Sequence, residues 1–132
     1  MKILVCITHV PDTTSKINFI DSKRKLRTGG VQYIIGPYDD YALARAVELG
    51  DSHKATVTVL NVGGAETEPT IRKALAIGAD DAIRVNADPT DSYFVAYQIA
   101  EQVKAGGFDL VLTGRESIDF NSGVVHSLVG EL

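Results

Sequence analysis

Tryptophan is absent from the 132 residues, and cysteine and methionine occur once each. A lone cysteine excludes an internal disulfide and suits a reducing compartment, so a cytoplasmic protein is expected. No apolar run approaches the roughly 20 residues that cross a bilayer, so no membrane span is expected. The opening apolar run, Ile3–Ile7, is too short for a secretory signal and has no small-residue cleavage site behind it. A basic excess is also missing. Thirteen Lys and Arg stand against seventeen Asp and Glu, a net charge of −4. Nucleic-acid binding leaves a basic footprint, so nucleic acid is not an expected partner.

The common catalytic signatures are missing as well. No Gly-x-Gly-x-x-Gly follows the first apolar run, and there is no Gly-Lys-Ser/Thr phosphate loop. No Gly-x-Ser-x-Gly elbow occurs, and Cys6 has no Cys-x-x-Cys partner. His9, His53 and His126 lack the spacing of metal ligands. Cys6 sits inside an apolar run and reads as a small core residue rather than a reactive thiol. No nucleophile, base and orienting group can be assembled. These absences favour a binding or electron-carrying protein over a hydrolase.

What is present reads as one α/β domain covering residues 1–132. Four runs rich in Val, Ile and Leu predict strands buried on both faces: Ile3–Ile7, Ala55–Val62, Ala82–Val85 and Asp109–Thr113. Helical patterns lie between them. The first starts at Pro37, carries Asp39 and Asp40 in its opening turn, and has Ala42, Leu43, Ala46 and Val47 on its apolar stripe. Gly50 is its expected end. The second runs from about Glu66 to Ile77, with Pro69 in its first turn, Ile71, Ala74, Leu75 and Ile77 inward, and Gly78 as its cap. The third starts near Asp91 or Ser92, turns Val95, Ala96, Ile99 and Val103 inward, and stops at Gly106 and Gly107. This alternation predicts a doubly wound, mostly parallel sheet with helices on both faces. Residues 13–35 break the rhythm. They predict an antiparallel excursion made of Lys16–Ile20 and Val31–Ile35, with Lys23, Arg24, Lys25 and Arg27 at a solvated tip.

In such a sheet, ligands gather beyond the carboxyl ends of the strands. The loops placed there are Thr8–Ser15, Asn61–Ala65, Asn86–Thr90 and Gly114–Gly123. The last is the most informative. An apolar run ends at Gly114, a polar loop follows, and a helix is expected after it with Asn121 or Ser122 as its cap. Strand, loop and helix in that order commonly hold a phosphate. Gly63 and Gly64 would let backbone approach a ligand closely. The convergence of these loops suggests a nucleotide.

Four collinear stretches carry a family resemblance. They are Met1–Thr14 (MKILVCITHVPDTT), Gly30–Leu43 (GVQYIIGPYDDYAL), Arg72–Ile83 (RKALAIGADDAI) and Phe108–Asp119 (FDLVLTGRESID). Together they resemble electron transfer flavoprotein beta subunits. The resemblance implies an adenine nucleotide alpha hydrolase-like fold and pairing with an alpha subunit that carries the redox-active FAD. It implies that the beta subunit binds AMP or, in bifurcating members, a second FAD. The complex would take electrons from acyl-CoA or other dehydrogenases. It also implies a longer protein, with further strands, a dehydrogenase-recognition loop and a C-terminal arm, so the chain is expected to be a piece of one.

Carried over by position, the nucleotide contacts fall on Cys6, Gly36, Pro37, Tyr38, Asp39, Val62, Gly114, Asp119, Asn121, Ser122, Gly123, Val124 and Val125. The His9–Thr14 loop would face the flavin of the alpha subunit. The chain departs from the family pattern at Gly36, where an Asn precedes the Pro, at Glu116 and at Val124, where Gln residues are usual. Glu116 adds negative charge near an expected phosphate unless it points away. The competing reading is a stand-alone adenine-nucleotide-binding domain resembling universal stress proteins, whose glycine-rich phosphate loop the chain lacks.

Overall fold

The computed structural model describes residues 1–22 and 24–132. Lys23, assigned above to the tip of the excursion, lies outside the described residues. The core is a four-stranded parallel sheet of β1 (Lys2–Cys6), β6 (Thr56–Val62), β7 (Asp81–Val85) and β8 (Leu110–Thr113). Its spatial order is β7-β6-β1-β8. The chain steps outward from β1 to β6 to β7, then returns to place β8 on the other side of β1. The strand order therefore reverses between β1 and β8, which is where such sheets open a crevice.

Alternation along β1 feeds two cores. Ile3, Val5 and Ile7 pack with Val57, Val59, Leu43, Ala46, Ile71 and Ala74, beneath α1 (Pro37–His53) and α2 (Glu68–Ile77). Leu4 and Cys6 pack with Leu60, Val62 and Ile99, beneath α3 (Ser92–Gly106) and α4 (Val125–Glu131). Helices thus cover both faces of the sheet, as the doubly wound reading requires. The central strands β1 and β6 are buried almost throughout, whereas the outer strands β7 and β8 are only half-buried. Full burial was expected of all four runs. A four-stranded sheet supplies neighbours on both sides only to its two middle members.

The helices differ in detail from their sequence patterns. α1 runs through Gly50 to His53 and ends at Lys54, whose φ of 53° is left-handed. Gly50 therefore lies inside the helix; an added Cβ there would press on Val57 and the Ala55 carbonyl. A short 3-10 turn, Ala65–Thr67, precedes α2. Ile71 and Ala74 of α2 face the core, but Leu75 and Ile77 are exposed. In α3 the Asp91 side chain accepts from the Phe94 N–H at 2.8 Å, so the expected cap is present.

The excursion is antiparallel, with different partners. β2 (His9–Pro11) pairs with β5 (Tyr33–Ile35), and β3 (Phe19–Ile20) pairs with β4 (Lys25–Leu26). Val31–Ile35 was expected opposite Lys16–Ile20. Instead its C-terminal half meets the residues just after β1, drawing His9 and Val10 into a strand. Arg24, Lys25 and Arg27 are exposed, as a solvated tip requires. Among the described residues no helix is long and apolar enough to cross a membrane.

Candidate functional site

A buried carboxylate closes the crevice between β1 and β8 from below. Asp39, in the first turn of α1, is 4% exposed. Its Oδ2 accepts from the Thr8 N–H at 2.9 Å and the Thr8 hydroxyl at 2.6 Å. Its Oδ1 accepts from the Gly114 N–H at 3.1 Å. One side chain thereby ties together the loops that leave the two strands flanking the reversal. Burial raises its pKa above the usual carboxylate range, against the opposing pull of the Thr8 and Gly114 hydrogen bonds. Glycine at 114 is a matter of space. A Cβ there would run into the Asp39 carboxylate and lie 2.9 Å from the Asp39 nitrogen and from the Tyr38 carbonyl carbon.

Above this bracket lies a cavity of about 430 Å³, within the usual range for small-molecule sites. Its floor is largely apolar, from Cys6, Leu60, Val62, Val95, Ile99 and Val125. Its rim comes from the loops after β1, β6, β7 and β8, so the four loops named from sequence do converge. Of the predicted contacts, Cys6, Asp39, Val62, Gly114, Asp119, Ser122, Gly123, Val124 and Val125 line the cavity. Gly36, Pro37, Tyr38 and Asn121 do not line it. Gly36 lies behind the Asp39 carboxylate, where a Cβ would collide with it and with the Thr8 hydroxyl. Asn121 is exposed with a left-handed φ of 53°.

The cap expected for the last helix is absent. α4 starts at Val125 after Val124, and neither Asn121 nor Ser122 caps it. With seven residues it is also short. Glu116 does not point away either. Its side chain is only 14% exposed, and its Oε2 lies 3.5 Å from where a Cβ on Gly123 would stand.

The structure adds residues that were not among the predicted contacts. Glu66 and Thr67 of the 3-10 turn and Asp91 and Ser92 at the start of α3 line the cavity. The Asp91 cap was the available signal, since caps of helices that follow sheet strands lie at this edge. Asn61 is the most informative addition. It is 4% exposed and donates from Nδ2 to the Ile7 carbonyl at 3.0 Å, while its buried Oδ1 has no hydrogen-bond partner among the described residues. A buried acceptor left unpaired costs about 1–3 kcal/mol unless something donates to it. His9 stacks on Tyr33, with ring centroids 4.2 Å apart, and its Nδ1 lies 2.6 Å from the Thr70 hydroxyl. Partial burial lowers its pKa, opposed by the nearby Glu66 and Asp119 charges. Among the described residues no group of three acidic, histidine or cysteine side chains is placed to hold a metal ion.

Cys6 is a core residue on the cavity floor. Burial, with a smaller push from the Asp39 charge, raises its pKa from 9.0 to about 12. In the folded state the thiol keeps its proton where an unfolded chain would ionise. Stability should therefore fall as pH rises from 9.0 toward about 12, with a slope approaching about 1.4 kcal/mol per pH unit from this group. Urea midpoints measured across that range should show the slope, and Cys6→Ala should remove this component of it.

Comparisons with known proteins agree with this architecture. The family model described as "Electron transfer flavoprotein domain" matches residues 25–130. An electron transfer flavoprotein subunit beta of Bacillus subtilis is 36% identical over the whole chain, which covers 52% of that relative. Protein FixA of Azorhizobium caulinodans is 36% identical over 95% of the chain and 47% of its own length. A further subunit beta, from Syntrophomonas wolfei, is 34% identical over the whole chain and 52% of its own length. The chain thus spans about half the length of the curated relatives it matches. A match across most of the chain, on a doubly wound sheet with its crevice at the strand reversal, shows that the chain belongs to the electron transfer flavoprotein family and is of its beta type.

Proposed function

We propose that the chain is the nucleotide-holding part of an electron carrier. It would bind AMP or FAD in the cavity and pair with an FAD-carrying alpha subunit that receives electrons from dehydrogenases. The observation that carries the reading is the cavity at the strand reversal, closed below by Asp39 and completed by the loop after β8. Its size and chemistry fit an adenosine moiety. The apolar floor suits a flat base. The rim carboxylate of Asp119 suits the hydroxyls of a ribose. The role of the bound group is that of its own chemistry: AMP would act structurally, whereas a flavin would accept and pass on electrons. The protein's part is to hold the adenosine end and keep water from its apolar face. A carrier of this kind performs no chemistry of its own on a substrate, and its site would work in the cytoplasm.

Asp119→Ala provides a local test. Its carboxylate is exposed and, among the described residues, accepts only from the neighbouring Phe120 N–H at 2.9 Å, so the fold should lose less than about 0.5 kcal/mol. Losing an acceptor for ribose hydroxyls should lower affinity for adenosine about tenfold. Calorimetric titration alongside thermal melts separates the two effects, and equal losses would make Asp119 a structural cap. The global test is copurification. The complete protein should come with a larger partner and release AMP or FAD on denaturation. A colourless monomer that releases no nucleotide would overturn the proposal.

A further inference from the structure

We propose that the excursion between β2 and β5 docks on an anionic lipid surface. Its hairpin, β3 with β4, forms a two-stranded sheet of its own, separate from the central sheet. Phe19 and Leu26 are register partners, so their side chains share one face, while Ile20 and Lys25 share the other. Phe19 is 58% exposed, and Ile17, two residues before it, is 55% exposed. A two-stranded hairpin is marginal in water unless its apolar face packs on something. The domain leaves Phe19 and Ile17 to solvent.

The charge around that face selects the occupant. Residues 16–27 hold five basic residues against one acid, Asp21, in a chain whose net charge is −4. Lys16, Arg24, Lys25 and Arg27 are exposed, and none of the four is ion-paired among the described residues. Lys16 and Arg27 also line a polar recess of about 330 Å³ at the base of the hairpin, together with Thr14, Ser15 and Gly30. Among the described residues no carboxylate lines it. Two cations without a competing carboxylate suit the phosphate of a lipid headgroup. Clusters of four or more Lys and Arg bind anionic leaflets, each charge near the surface adding about fivefold in affinity. The apolar side chains beside them would enter the acyl boundary. A protein partner fits less well, because a stable protein interface takes about 20–30 residues a side and this segment is only residues 16–27.

Flotation of the full chain with lipid vesicles tests this. The chain should bind vesicles of phosphatidylcholine with about one third phosphatidylserine and leave vesicles of phosphatidylcholine alone unbound. Raising the salt from about 0.1 M to about 0.5 M should weaken the binding. Arg24→Gln with Lys25→Gln should lower the affinity more than about tenfold. Phe19→Ser should lower it about tenfold at either salt, because its contribution is apolar and is not screened. All three side chains are exposed, so the thermal melts of these variants should match the wild type. No binding, equal binding to both kinds of vesicle, or a Phe19→Ser variant that binds as the wild type does would overturn the inference. Variants that float unchanged but lose a copurifying protein would also overturn it, making the hairpin a protein contact.

Discussion

Replacing Asp39 by alanine should destabilise the fold by about 2–4 kcal/mol and abolish ligand binding together. The carboxylate accepts from Thr8 twice and from Gly114 once, and no water-exposed surface takes over those donors at a residue that is 4% exposed. Without it, the ends of β1 and β8 lose their common anchor and the cavity floor opens. Asp39→Asn should cost less, because it keeps an acceptor for Thr8 but turns an amide N–H₂ toward the Gly114 N–H. Both variants should also differ from the wild type in pH dependence. The folded pKa of Asp39 is raised above its unfolded value. Between the two values the folded state holds a proton that the unfolded state has released. Stability contributed by this group therefore falls as pH rises through that window, and neither variant should show this component. Denaturant unfolding of all three proteins, measured from acid to neutral pH, checks both the size and the sign.

Gly114→Ala should produce a loss of about 2–3 kcal/mol by the opposite physics, overpacking rather than a missing partner. The added methyl meets the Asp39 carboxylate and backbone atoms at 2.9 Å, and backbone cannot swing aside as the end of a flexible side chain can. The strand end must move, and the loop through Ser122 and Gly123 moves with it. Because the methyl and the carboxylate compete for one space, the two substitutions should not be additive. The Asp39→Ala, Gly114→Ala double variant should be more stable than the sum of the single losses by at least about 0.5 kcal/mol. A strictly additive cycle would show that the two residues do not share one bracket.

The fold was legible where burial and periodicity coincide. The Val-rich runs are strands because only extended chain places every residue of a short apolar run between two packed layers. Pro37, the Asp91 cap and Gly107, with its left-handed φ of 62°, mark helix ends through local backbone chemistry. The errors fall where local and tertiary demands separate. Gly50 has the local signature of a helix end, but the first helix continues one turn beyond it. Val31–Ile35 has the pattern of a strand, but its partner is the segment after β1. Pairing in an antiparallel excursion depends on which edge lies near, and composition does not encode that.

The candidate site divides along the same line. The strand-end loops could be named from the order of elements, since a doubly wound sheet sends them all to one edge. The Glu116 and Val124 departures were also visible in the residues themselves. Sequence could not show that Asp39 faces inward as a bracket, that Asn61 buries an unpaired acceptor, or that Glu116 lies against Gly123. Each of these depends on where a side chain ends up after segments far apart in the chain have packed. By itself, then, the sequence determined the element types, the edge where the strand-end loops gather and the family. Only the tertiary structure decided the strand order, the residues that line the cavity and the sign of the charge waiting there, because those follow from distances between atoms that only packing sets.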